Sequence, residues 1–196
     1  MTPIPELQRL ISRFLEHLEI AQNKSHKTIE NYHHYLQRFA DFVDEKNPEA
    51  IGPDDIHKYQ LFLNRYKDAR ERPLSAKTQN YHLIALRAFL KYLVKNDIPS
   101  LAPEKIDLKK VGDRIVDFLT REEMARMFDA IDISKKTGLR DRAMLETLYS
   151  TGLRVSELVG LGISQVDLNR KEFTVRGKGQ KPRLVFLSDR CVKWIK

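Results

Sequence analysis

The sequence predicts a mainly α protein: an all-α domain of four helices, followed by the start of an α+β domain that carries a small antiparallel β-hairpin. Three observations predict it. Seven of the eight glycines lie after residue 111, and the first hundred residues hold only Gly52. Apolar residues in that first hundred recur at helical spacing, with no strand pattern. After Gly152 the pattern changes, and two short apolar stretches flank a basic, glycine-bearing turn.

Taken in order, residues 5–21 form the first helix, with Leu7, Leu10, Ile11, Phe14, Leu15 and Leu18 on one stripe. The second runs from about Lys27 to Glu45, with Ser25 as N-cap and Ile29, Tyr32, Leu36, Phe39 and Val43 as its stripe. Pro53 and Asp54 open a third helix bearing Ile56, Tyr59, Leu61, Phe62 and Leu63. The polar KDARERP segment is a loop, and Ser75 caps a fourth helix over about 76–95. Pro99, Pro103 and the aperiodic IDLKKVGDR make residues 97–117 read as linker, which places a helical domain at 1–102, a linker at 103–112 and a second domain at 113–196. Thr120 and Glu123 form a capping box, and a further helix covers about 138–150. Val155, Leu158 and Val159 make a short helical face ended by Gly160. Residues 172–187 read as a β-hairpin whose tip is RGKGQKPR, and SDRCVKWIK begins another amphipathic helix. A chain that stops in mid-pattern is expected to be truncated.

The bulk numbers exclude several classes. No apolar run approaches the length of a membrane-spanning helix, and the N-terminus lacks the three regions of a signal peptide. Cys191 is the only cysteine, so no intrachain disulfide forms, as expected of a cytoplasmic protein. The formal net charge is +8. Residues 1–100 carry 15 Lys/Arg against 13 Asp/Glu, residues 101–196 carry 20 against 14, and from Arg170 onward there are nine against two. A basic excess gathered at one end points to a polyanion, most simply nucleic acid.

Some candidate groups fail on spacing. His33 and His34 are adjacent, diverge on a helix and have no accompanying ligand set, so no metal is expected. The glycines around Lys178 lack the phosphate-loop spacing and lie between strands, so no nucleotide is expected. Others stand with two readings each. On the fourth helix Lys77, Asn80, Arg87, Lys91 and Lys95 fall within a sector of about 80°, with Tyr81, Ile84, Ala85, Ala88 and Tyr92 read as lying on other faces. That stripe either grips DNA phosphates or is a solvated face. Lys27, Thr28 and Asn31 at the start of the second helix either meet a phosphate or simply cap the helix. Arg154 follows a Thr-Gly turn beside Leu153, Val155 and Leu158, a setting in which full solvation is not expected. Its guanidinium pairs either with Glu157 or with a substrate phosphate.

TGLRVSEL, residues 151–158, resembles the first catalytic-arginine motif of the tyrosine recombinase (phage integrase) family, and GLRDRAMLETLY resembles the helix before it. VRGKGQKPRLVFL resembles the hairpin that carries the family's catalytic lysine, with Lys178 at the matching place. SHKTIENYHHYLQRF and SAKTQNYHLIALRAFLKYL resemble the DNA-engaged helices of the SAM-like core-binding domain, and FLTREEMARMF the entry to the catalytic domain. The likeness covers nearly the whole chain, in order, and leans towards a Xer-like member or a short integrase.

The resemblance implies site-specific DNA recombination through a 3′-phosphotyrosyl intermediate, without metal or cofactor. Arg154 would stabilise charge on the phosphate, Lys178 would protonate the leaving 5′ oxygen, and Glu157 would orient the site. Lys27, Thr28, Asn31, Lys77, Asn80, Arg87, Lys91, Lys95, Lys181 and Arg183 would contact double-stranded DNA, with no membrane involved. A full-length subunit would work in a homo- or hetero-tetramer on DNA. The family also needs a His-x-x-Arg pair, a further His or Trp and the tyrosine, all after the hairpin. No histidine here follows His82, and no tyrosine follows Tyr149. The 196 residues are therefore expected to bind DNA without cleaving it. The alternative is a non-catalytic DNA-binding protein, a truncated recombinase that occupies or regulates recombination sites. Smaller departures are Gly162-Ile163-Ser164-Gln165, where an acidic turn is usual, and Phe186, where proline is common.

Overall fold

The computed structural model describes residues 5–44, 46–112, 116–177 and 181–196. The chain divides into two compact units, 1–114 and 115–196.

The first unit holds α1 (Glu6–Ile20), α2 (His26–Phe42), α3 (Pro53–Arg65) and α4 (Ala76–Lys95). The serine caps form as the sequence predicts. Ser25 Oγ accepts from the Thr28 N–H at 3.4 Å and Ser75 Oγ from the Thr78 N–H at 3.1 Å. The Asp55 carboxylate takes the Gly52 N–H at 3.0 Å and the Lys46 ammonium at 2.7 Å, which closes the start of α3. One core joins the four helices: Leu7, Leu10, Ile11, Phe14 and Leu18 of α1 pack with Leu36 and Phe39 of α2, Ile56, Tyr59 and Leu63 of α3, and Leu83, Leu86, Phe89, Leu90 and Leu93 of α4. Phe14 lies between Tyr32, Phe89 and Tyr92, and Tyr59 between Phe39, Phe42 and Phe62, with ring centroids 5.0–6.1 Å apart.

Two expectations are corrected here. Residues 103–112 are not a free linker. Leu101 and Ile106 are buried in the four-helix core, and Pro103–Lys105 forms one tight 3₁₀ turn. Gln60 Nε2 donates to the Asp107 carbonyl at 3.1 Å. The Asn80 amide brackets the Lys109 backbone, donating to its carbonyl at 2.8 Å and accepting its N–H at 2.9 Å. The Lys109 ammonium donates to Asn64 Oδ1 at 2.8 Å and Gln79 Oε1 at 2.6 Å. The segment is polar because its hold is mostly hydrogen bonds. The second correction concerns α4: its core face also contains Gln79 and His82, whereas Tyr81 and Ile84 are exposed. At 100° per residue Ile84 lies among Lys77, Asn80, Arg87 and Lys91, not on another face.

The second unit contains α5 (Arg121–Asp129), α6 (Lys136–Thr151), α7 (Val155–Val159), strands β1 (Glu172–Arg176) and β2 (Pro182–Phe186), and α8 (Asp189–Ile195). The Thr120–Glu123 capping box forms reciprocally, with bonds of 2.8 and 3.2 Å. The two strands pair antiparallel, with Phe173 opposite Val185 and Val175 opposite Arg183. Alternation sends Phe173, Val175 and Val185 inward, against Leu153, Leu187, Cys191 and Val192.

Beside that apolar cluster lies a buried ionic one. Glu146, whose side chain is 2% exposed, accepts from Arg142 Nε at 3.1 Å and Arg190 Nε at 2.7 Å. The Arg142 guanidinium is sandwiched between the Phe128 and Trp194 rings, 4.7 and 4.8 Å from their centroids, and donates to the Phe128 carbonyl. Tyr149 is more than half exposed and meets Phe128 edge-on.

Candidate nucleic-acid interface

The turn that delivers Arg154 depends on Gly152, which ends α6 at φ +63°, a left-handed conformation that costs a side-chain-bearing residue strain. Thr151 Oγ1 folds back onto the Thr147 carbonyl at 2.6 Å, and α7 begins immediately. Arg154 is its N-cap. The Glu157 carboxylate reaches back to the Arg154 N–H at 2.8 Å and to Arg154 Nη1 at 3.0 Å.

The Arg154–Glu157 pair is thus formed, but Arg154 is more solvated than its apolar neighbours implied. Its side chain is 65% exposed, because Leu153 and Leu158 turn inward while Val155 turns out. Among the described residues, only its Nη1 has a protein partner, so Nε and Nη2 remain available to an external anion. Glu157 is 11% exposed and has a second partner that sequence reasoning did not assign to it: Arg183 Nη1 and Nη2 bind its two oxygens at 2.9 and 2.7 Å. The Arg183 fork, followed by the Arg154 N–H, holds the Glu157 carboxyl down at about 2. In return, Glu157 raises the Arg183 guanidinium above its usual value. The signal for this contact was the strand register, which sets Arg183 opposite the inward Val175.

Lys178 lies outside the described residues, so its placement at the hairpin tip rests on the sequence. The flanking residues close the turn: the Gly177 N–H donates to the Lys181 carbonyl at 3.0 Å, and the Lys181 side chain is exposed.

On the first unit, Lys77, Lys91 and Lys95 are exposed along α4, and Arg87 is half-buried. No ion pair engages these four among the described residues. Asn80 sits on the same face, but its amide is committed to Lys109. At the start of α2, Lys27 pairs with Glu30 at 2.6 Å and Thr28 Oγ1 meets Ser25 Oγ at 2.9 Å, while Asn31 is exposed. The capping geometry is therefore in place there. Among the described candidate residues, the α4 cations and Lys181 have no ion pair, and Arg154 keeps guanidinium donors without a protein partner. His33 and His34 are exposed, and no cluster of three or more metal-ligating side chains occurs among the described residues. Within the same residues, no helix is long and apolar enough to cross a membrane.

The comparisons follow this division. The "Phage integrase, N-terminal SAM-like domain" model matches residues 10–100, and the "Phage integrase family" model matches residues 117–196. The tyrosine recombinase XerC of Psychromonas ingrahamii is 37% identical over 191 residues, which cover 97% of this chain and 62% of that protein. The XerC of Bacillus subtilis is 34% identical over 180 residues, 91% of this chain and 58% of that protein. The chain therefore spans about three-fifths of the length of the curated relatives it matches. Among solved structures, the Tn1549 transposon integrase in complex with transposon right end DNA shares the fold, with TM-score 0.72, 17% identity and coverage of 95% of this chain and 63% of that one. XerH bound to palindromic difH substrate does likewise, at TM-score 0.58, 24% identity and coverage of 93% and 55%. With both parts matched by the family's own models and Xer-type relatives aligned along nearly all of it, the chain belongs to the phage integrase family of tyrosine recombinases.

Proposed function

We propose that this chain binds double-stranded DNA and represents the DNA-engaging part of a Xer-like site-specific recombinase, working in the cytoplasm and assembling as a tetramer on paired sites. The observation that carries the reading is Arg154: one guanidinium nitrogen tied to Glu157, a side chain 65% exposed, and a place beside Gly177 at the turn end of a hairpin rich in cations. A guanidinium so presented suits a phosphodiester, whose nonbridging oxygens accept a bidentate fork. The α4 stripe of Lys77, Arg87, Lys91 and Lys95 supplies sequence-independent backbone contacts, and exposed Tyr81 and Ile84 add apolar contacts beside them.

In the full reaction, Arg154 would stabilise charge on the phosphate as a tyrosine attacks, with Lys178 protonating the departing 5′ oxygen. These 196 residues hold no histidine after His82 and no tyrosine after Tyr149, so they bind without cleaving. Duplex binding with no covalent protein–DNA adduct on a nicked duplex supports the proposal for this chain. Failure to bind at low salt, or a preference for single strands, contradicts it.

A further inference from the structure

We propose that Arg183 is a positioning residue for Arg154, acting through the Glu157 carboxylate, rather than a phosphate ligand itself. The inference deepens the preceding reading and rests on it, since it takes Arg154 as the group that meets the phosphate.

The donors divide unequally. Both terminal nitrogens of Arg183 engage Glu157, one on each oxygen, at 2.9 and 2.7 Å. This fork fixes the plane of the carboxylate as well as its position. Each oxygen also accepts from Arg154, Oε2 from its backbone N–H at 2.8 Å and Oε1 from Nη1 at 3.0 Å. Four donors fill the acceptor capacity of one carboxylate. Two guanidiniums thus share one negative charge. Arg183 is the one turned inward, with its side chain 35% exposed against 65% for Arg154. The surplus cation is Arg154, the more exposed of the two.

The hairpin backbone passes beside this pair. A Cβ at Gly177 would lie 3.2 Å from Arg183 Nη1, a tight approach, and 3.9 Å from Arg154 Nη1, an ordinary contact, so the turn runs close beside both guanidiniums. Arg183 stands opposite Val175 in the β1–β2 register, and its reach to Glu157 ties the hairpin to the start of α7. Arg154 and the strands leading to the Lys178 tip are thereby joined through one carboxylate.

The experiment uses the 196-residue chain, a duplex oligonucleotide and a salt series, with R154A, R183M, R183K and the double variants, each checked for folding by its melt. R154A is expected to weaken binding and to reduce the salt slope by about 0.9, as loss of one phosphate contact does. R183M is expected to weaken binding alone but to change it by less than about twofold in the R154A background. R183K keeps the charge but not the fork, and is expected to behave like R183M. Additive losses, or full retention by R183K, would show Arg183 contacting phosphate directly and overturn the proposal. The Arg154 Nε–H heteronuclear NOE is read in the same proteins: ordered in the wild type and mobile in R183M and R183K. Unchanged order in both variants overturns the positioning role whatever the DNA result, whereas an R154A variant with wild-type affinity overturns only the phosphate reading.

Discussion

Arg183 and Glu157 meet through two parallel hydrogen bonds of 2.9 and 2.7 Å, joining the second hairpin strand to the short helix that begins at Arg154. The pH dependence follows from the sign of the shift. Glu157 has an ordinary value of 4.5 and is held at about 2 in the folded chain. The stabilisation is therefore full above pH 4.5 and is lost as pH falls from there toward 2. Hydrogen exchange of the β1–β2 amides should show hairpin protection falling through that window, and E157Q should already lack that part of the protection at pH 6. An E157Q hairpin as protected as the wild type would remove the latch from the account.

A second acid window belongs to the first unit. His82 is buried among Tyr35, Tyr59 and Arg38, and burial, followed by the Arg38 charge, lowers its imidazole from 6.5 to about 4. Arg38 only donates, so His82 Nε2 accepts from it at 3.3 Å and the ring proton belongs on Nδ1, facing the Tyr59 hydroxyl at 3.3 Å. The unfolded chain takes up a proton near 6.5, so stability is full above that value and falls as pH drops toward 4, by about 3 kcal/mol in total. Chemical denaturation of the whole chain between pH 7 and 4 should show this loss, and His82→Phe should flatten it. An equally steep acid limb in the variant contradicts the assignment.

Glu146 is the keystone of the second unit's ionic cluster. Removing it strands the buried Arg142 guanidinium, and Glu146→Ala is expected to cost about 3–5 kcal/mol. Thermal melts of the chain should show the second unit lost or strongly destabilised while the first is retained. A shift of only a degree or two would mean that water reaches the cluster freely.

Asn80 separates two meanings of the same sequence position. Its amide brackets the Lys109 backbone, so Asn80→Ala is expected to destabilise the first unit by about 1–2 kcal/mol and to release the Lys109 amide to exchange. The salt slope of DNA binding should stay near the wild-type value. A lower slope with unchanged Lys109 protection would return Asn80 to the phosphate-contacting set.

Much of this organisation was legible in the sequence, where one physical rule dominated. Ser25, Ser75 and the Thr120–Glu123 pair marked helix starts because capping is local chemistry. Phe173 and Val175, alternating with polar residues, and the apolar run Leu184 to Leu187 marked the hairpin because strand pattern is local geometry. What escaped depends on partners distant in sequence. Of Ile106, Leu108 and Val111 in the polar 103–112 stretch only Ile106 is buried, and periodicity cannot register one anchor; the clasp of Asn80, Asn64 and Gln79 on Lys109 spans 29 to 45 residues. Arg142 and Glu146 lie four apart on a helix, a pattern usually solvent-exposed, and only Phe128, Trp194 and Arg190 make the pair internal. Arg183 read as one more cation in a basic run until strand register placed it against Glu157.

The central claim, duplex DNA held through a defined phosphate-contacting surface, is tested most directly by a salt series on the 196-residue chain and its Lys77→Ala/Arg87→Ala/Lys91→Ala variant. Affinity for duplex DNA should fall steeply with salt, with a slope shallower by about 2.7 in the triple variant, for three lost phosphate contacts. Equal slopes in two equally folded proteins would contradict it, because the α4 stripe would then be a solvated face.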